Sequence, residues 1–387
     1  MKSSEKITYL DGLRGLAAIS VVFSHAFLWF LPALHSGPRA HPDASELELA
    51  IFNSPVSFFY KGGAAVWLFF VLSGFVLSYG LLKRRDDLLA LRIAATKRYF
   101  RLGFPVFFSV MIGYLLMSLG AFKARELGLN DSFMLLYNSP NSFIEAMKQG
   151  LYGSLIFGQN KYNFVLWTIS IELYGSFLVF GAIALFGANI NILRAVCIVI
   201  AICSIQSHDR TVSSMALFSA GMMLATFKID QFNSILGVAL SALLIMAGLY
   251  LMGYHPGSSS YRPVVWVAGK LQMAGIKLSW PELFPQVGSA LIIYSIFFSA
   301  LILRPLSLRP FAWLGKISYS VYLLHSFILS IVAQYVATKY TGWTAAAICL
   351  SIVLPATIIA SGIFYRYVDA YFTGKVNAFF GSTIIKR

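Results

Sequence analysis

Charge is what this sequence has least of. Only 12% of its residues are Asp, Glu, Lys or Arg, against 58% that are hydrophobic, and mean hydropathy is +0.74. A soluble domain this poor in charge could not keep its surface wet, so a polytopic, all-helical membrane protein is expected. Acids are the scarcer sign, 15 against 30 Lys and Arg. That excess does not point to nucleic acid, because the basic residues collect between hydrophobic runs, as orientation signals do. Cysteine is nearly absent: Cys197, Cys203 and Cys349 sit in apolar runs without metal-ligand spacing, which argues against a disulfide framework. A cleavable signal pattern is also missing. The first apolar run is too long, carries charge and is followed by no small-residue cleavage site, so it is expected to stay in the mature protein. No internal repeat and no appended soluble domain is evident, and residues 1–387 read as a single transmembrane domain.

What is there is a series of apolar runs. Ten spans are expected, near 8–31, 61–82, 102–121, 163–186, 190–207, 212–228, 233–253, 284–303, 311–337 and 343–368. The connection after the second, KRRDDLLALRIAATKRYFR, is the most basic stretch of the chain. By the positive-inside rule it is cytoplasmic, with Arg194, Lys228, Arg304, Arg309, Arg366, Lys375, Lys386, Arg387 and both termini on the same side. The long connections 31–61, 122–162 and 254–283 then face outward, the second with a short surface helix near 142–152. His35, His41, His208 and His255 fall in outward connections without paired spacing, so no metal site is expected.

The first span, YLDGLRGLAAISVVFSHAFLWFL, carries Asp11, Arg14 and His25. Eleven residues at about 100° each bring Arg14 and His25 onto nearly one face, about 16 Å apart along the axis. An ionisable pair aimed one way inside a span looks like the wall of a polar path. His25 is a satisfied core histidine or a general base for a hydroxyl. Arg14 snorkels or pairs with Asp11 on one reading, and grips an anion such as phosphate on the other. Ser73 and Gly74 make a small-residue notch, suited to close helix packing. Arg98 and Arg101, three residues apart in KRYFRLGFP, serve as orientation signals or as a cradle for a phosphorylated donor. Glu172 in LWTISIELYG must be neutral, paired or facing water, because an isolated carboxylate in lipid is too costly. In LGKISYSVYLLH, His325 with Ser318, Tyr319 and Tyr322 forms a second polar lining or a satisfied core cluster.

These residues resemble a known family. LDGLRGLAAISVVFSHAF is similar to the first-helix signature of the acyltransferase-3 integral membrane acyltransferases, Arg then ten residues then His. FFVLSGFVLS, KRYFRLGFP, LWTISIELYG and LGKISYSVYLLH resemble that family's later motifs in order, so the resemblance covers about residues 7–370. Two departures stand out: Trp67 occupies a position where many members carry an acid, and Thr168 one where serine is commoner. The resemblance implies transfer of an acyl group, commonly acetyl, from cytoplasmic acyl coenzyme A to a hydroxyl of an envelope or extracellular glycan or glycolipid. Lipopolysaccharide and exopolysaccharide are typical acceptors, and the bacterial inner membrane the usual location. It makes Arg14 and His25 the essential pair, with Ser73, Gly74, Arg98, Arg101, Trp167, Glu172, Ser318, Tyr319 and His325 in supporting motifs. On this reading His25 is the base, Glu172 sets the polar field, Arg14, Arg98 and Arg101 hold the donor's phosphates, and Ser73 and Gly74 belong to the same acyl coenzyme A site. A proton-coupled transporter or flippase is the main alternative, since intramembrane His, Arg and Glu also mark such paths.

Overall fold

The computed structural model describes residues 8–85, 87–129, 135–227 and 234–385, with side chains described as far as 381. Lys228, Lys386 and Arg387, counted above among the inward-side cations, lie outside the described residues. All regular structure among the described residues is helical. The described residues start with α1 (Thr8–Phe30), two short helices α2 (Ala33–Ser36) and α3 (Glu46–Phe52), then α4 (Gly62–Leu81) and α5 (Leu88–Ser118). Short α6 (Phe143–Lys148) and α7 (Ser154–Phe157) lead to α8 (Trp167–Phe186), α9 (Ile190–Ile205), α10 (Arg210–Ala225) and α11 (Ile235–Met252). The last part is α12 (Arg262–Met273), α13 (Trp280–Tyr294), α14 (Arg309–Ala337), α15 (Gly342–Phe364) and α16 (Ala370–Ile385).

Each of the ten expected spans has a helix, but among the described residues only seven stretches are long and apolar enough to cross a bilayer unaided. α9 and α10 have 16 residues each, about 24 Å of helix and short of a core roughly 30 Å thick. The span expected at 284–303 is broken: α13 and the turns after it bend by 97°. Backbone freed at that break finds partners, since Ser241 Oγ donates to Ser299 O at 2.8 Å and Leu301 N to Ser299 Oγ at 3.2 Å, as a membrane interior demands. The basic stretch expected as a connection is largely helical. α5 starts at Leu88, where Asp87 caps it by accepting from Ala90 N at 2.8 Å. Arg92, Lys97, Arg98 and Arg101 therefore ride on a continuous helix.

Small residues hold the bundle together, as expected where lipid offers no hydrophobic drive for helix association. α1 and α14 run parallel and almost touch: a Cβ at Gly15 would lie 2.8 Å from Gly315 N, and the Asp11 backbone fills the space a Cβ at Gly315 would need. α4 meets α10 through Gly74 and Gly221, where a Cβ would lie 2.8 Å from Phe218 Cα and 2.5 Å from Phe75 N respectively. α11 meets α13 through Gly248 and Gly288. Of these seams, the α1–α14 pair places the chemistry.

Candidate active site

Near the first turns of α1 and α14 the bundle opens into a cavity of about 260 Å³ lined by α1, α4, α5, α8, α14 and the turn before α16. Four cations reach it, Arg14, Arg98, Arg101 and Lys316, with two carboxylates, Glu172 and Asp369. Glu172 is consumed locally. It forms an ion pair with Arg98 and accepts from Ser73 Oγ at 2.6 Å. Arg98 Nε donates to Ser176 Oγ at 2.8 Å, and that hydroxyl donates to the Glu172 carbonyl at 2.6 Å. Arg14 lies 3.6 Å from Asp11, whereas Arg101 and Lys316 form no salt bridge among the described residues and are exposed at the mouth. Cations in excess around a hydroxyl-lined opening suit a polyanion, phosphate above all. The inner end is closed by Tyr322, whose hydroxyl pairs with Thr168 Oγ1 at 2.8 Å and donates to Val165 O at 2.7 Å.

One turn beyond Tyr322 lies a layer of different character. His325, wholly buried, has its ring 6.0 Å from that of Tyr322. Its Nε2 is 2.9 Å from Nδ1 of His25, across 300 residues of sequence, and its Nδ1 is 3.0 Å from the Val321 carbonyl. The two imidazole centroids are 5.2 Å apart with planes 2° apart. That spacing equals the hydrogen bond plus two ring radii, so the rings meet edge to edge. Phe164 closes against His25 at 5.2 Å. Behind the pair is a satisfied polar network: Tyr137 donates to Ser326 at 3.1 Å, Ser326 to Asn163 Oδ1 at 3.0 Å, and Asn163 Nδ2 to Leu323 O at 2.8 Å. A buried imidazole pair with one member half-buried can accept and return a proton.

A family model described as an acyltransferase domain, acyltransferase-3, matches residues 7–364. The chain belongs to the acyltransferase-3 family. That family is one of membrane acyltransferases, and the apolar helices fit an integral membrane protein. Among characterised relatives, an O-acetyltransferase of Phomopsis amygdali, PaAT-1, is 39% identical over 83 residues; this spans 21% of this chain and 16% of that protein. No solved structure matches.

Read as an acyltransferase-3 member, the chain distributes its motif residues unevenly. Arg14, Ser73, Arg98, Arg101, Glu172, Ser318, Tyr319 and Tyr322 all line the cavity. His25 and His325 meet in the layer beyond it. Gly74 faces the Phe218 backbone on α10, where the space a side chain would need is filled, as the small-residue notch suggested. Trp167 lies against the Arg210 guanidinium at 5.2 Å and does not line the cavity. Trp67, in place of an acid, is buried against Phe70. Sequence reasoning missed Lys316, Asp369, Tyr137 and Asn163. It also missed that the two histidines are partners, although each follows by ten residues the glycine at which its helix crosses the other, Gly15 and Gly315. In parallel helices that equal spacing puts both rings at one depth.

Beyond the far end of α1, His35 donates from Nε2 to Ser24 O at 3.1 Å and packs its ring on Tyr60 at 5.5 Å. Burial holds His35 and His255 down to about 4 and Lys61 down to about 8. This corner is therefore kept almost uncharged at neutral pH, apart from Lys61.

Proposed function

We propose that this protein is a membrane O-acyltransferase that moves an acyl group, acetyl in the simplest case, from cytoplasmic acyl coenzyme A to a hydroxyl of an envelope or extracellular glycan or glycolipid. The single observation behind this reading is the stacking, along the α1–α14 seam, of a cation-rich cavity beneath a buried imidazole pair. Coenzyme A carries several phosphate charges and cannot enter lipid unaided. Arg14, Arg101 and Lys316 would hold those phosphates, while the Arg98–Glu172–Ser73 cluster keeps the wall of the cavity rigid. The thin pantetheine arm would carry the thioester past Tyr322 and Thr168 towards His25. There the imidazole would take the proton of an acceptor hydroxyl arriving from the opposite side. Transfer would be direct, with no acyl-histidine formed.

The basic mouth would face the cytoplasm, by the positive-inside rule. The bilayer would be a plasma membrane, the bacterial inner membrane on the family resemblance. A transporter reading gains nothing here: among the described residues one span is broken, whereas transporters with midplane sites typically break corresponding helices in two halves.

The test uses purified protein in nanodiscs, acetyl coenzyme A and glycan extracted from the producing organism. Thiol release coupled to an O-acetyl mass gain on the glycan supports the reading. Movement of glycan across the bilayer without thiol release overturns it.

A further inference from the structure

Each neutral imidazole has one N–H and one lone pair, and the partner of one ring nitrogen decides what the other can do. A carbonyl oxygen only accepts. The 3.0 Å contact between His325 Nδ1 and Val321 O therefore puts the His325 proton on Nδ1. Its Nε2 then carries the lone pair, so His25 Nδ1, 2.9 Å away, must be the donor. The proton of neutral His25 is fixed on Nδ1 and the lone pair on Nε2. This is the less common imidazole tautomer in water, and the one that presents a base beyond the dyad.

We infer that His325 is a positioning residue, which imposes tautomer and ring orientation on His25 so that Nε2 meets the acceptor hydroxyl as a lone pair. Burial divides the roles: His325 is inaccessible, while His25 is half-buried and able to touch substrate. The arrangement performs with a neutral partner what a buried carboxylate does for the histidine of a Ser-His-Asp triad, where the wrong tautomer is catalytically costly. The chain ends on a backbone carbonyl, so the dyad supplies orientation without a buried negative charge. The parallel α1–α14 seam sets the register, through Gly15 against Gly315 ten residues earlier.

The proton balance is simple. The acceptor O–H proton passes to His25 Nε2 while that oxygen bonds to the thioester carbonyl carbon. The C–S bond then breaks, and the same proton leaves Nε2 for the coenzyme A thiolate. His25 and His325 finish as they began. The consequence for catalysis rests on the acyl-transfer reading, whereas the tautomer rests on the hydrogen-bond chain alone.

Nitrogen-15 NMR of histidine-labelled protein in lipid, with His25 assigned by difference against His25→Asn, reads the tautomer directly. The wild-type spectrum should show His25 protonated on Nδ1 and bare on Nε2; a proton on Nε2 instead overturns the inference. Two variants sharpen the test, each checked for folding by its unfolding midpoint. In His325→Gln the side-chain oxygen still accepts from His25 Nδ1, so the tautomer should persist, with kcat within about tenfold of wild type. In His325→Leu the tautomer should reverse and kcat fall by ~10²-fold or more, with KM for acetyl coenzyme A unchanged. Equal kcat in the Gln and Leu variants overturns the positioning role. The expected tautomers in a wild type that releases no thiol would uphold the hydrogen-bond assignment, and would overturn both the acyl-transfer reading and the catalytic use given to it.

Discussion

The cavity and the histidine layer lie one helical turn apart on the same seam, yet they are built on opposite principles. The cavity is open and charged, and one of its carboxylates is already bound to an arginine of its own wall. The layer is mostly buried and is ordered by hydrogen bonds with a single sense. The contrast separates two tasks. Charge in excess holds a polyanion without needing fine geometry, because each exposed cation contributes modestly. Proton transfer needs one lone pair aimed at one place, which a buried hydrogen-bond chain of one sense provides.

The contrast can be broken at either region. The largest effect is expected in the layer: His25→Ala should remove the O-acyl mass from glycans of cells that still make the protein, a loss of ~10²–10⁴-fold in transfer. Glycan mass spectrometry checks it, and retained modification would remove His25 from the mechanism. Next comes the cavity wall. Arg98 and Glu172 are only 12% and 14% exposed, so Arg98→Leu alone should cost about 3–5 kcal/mol by stranding a charge, while pairing it with Glu172→Leu should recover much of that. Unfolding midpoints in detergent read both, and equal damage in single and double variants would contradict the pairing. A smaller effect is expected at the mouth. Arg101→Gln with Lys316→Gln should raise KM for acetyl coenzyme A about tenfold at low salt, less at high salt, with kcat unchanged.

The smallest effect belongs to the corner around His35, beyond the far end of α1. His35 is held at about 4 against 6.5 when unfolded, so the unfolded chain binds the extra proton between those values. Stability from this group is complete above pH 6.5 and lost as pH falls towards 4. His35→Gln should flatten the acid side of the unfolding profile by a few degrees, without changing the profile above pH 7. An unchanged acid limb would contradict that burial.

Much of this was legible in sequence, for identifiable reasons. Hydropathy located a helix for each expected span, and α1 disclosed Arg14 and His25 because both lie within one continuous helix. What hydropathy cannot register is a bend between apolar segments, as at 298–300, or a polar face that extends a span, as in α5 from Leu88. Within the site, Arg98, Arg101 and Glu172 were visible as charge out of place. Asp369 was not, since it reaches the cavity from a π-helical turn at Tyr365–Asp369. The His25–His325 pair depends on a contact across 300 residues. Only the matched glycine-to-histidine spacing in α1 and α14 hinted at it, and that spacing has meaning only once the helices are known to be parallel.

The most direct test of two regions with separate tasks is to measure acetyl coenzyme A binding by titration calorimetry, alongside turnover, for wild type and His25→Ala in nanodiscs. Equal affinity in both proteins, with thiol release only from wild type, is the expected result. Loss of binding together with turnover in His25→Ala, or turnover that survives the substitution, would contradict the account.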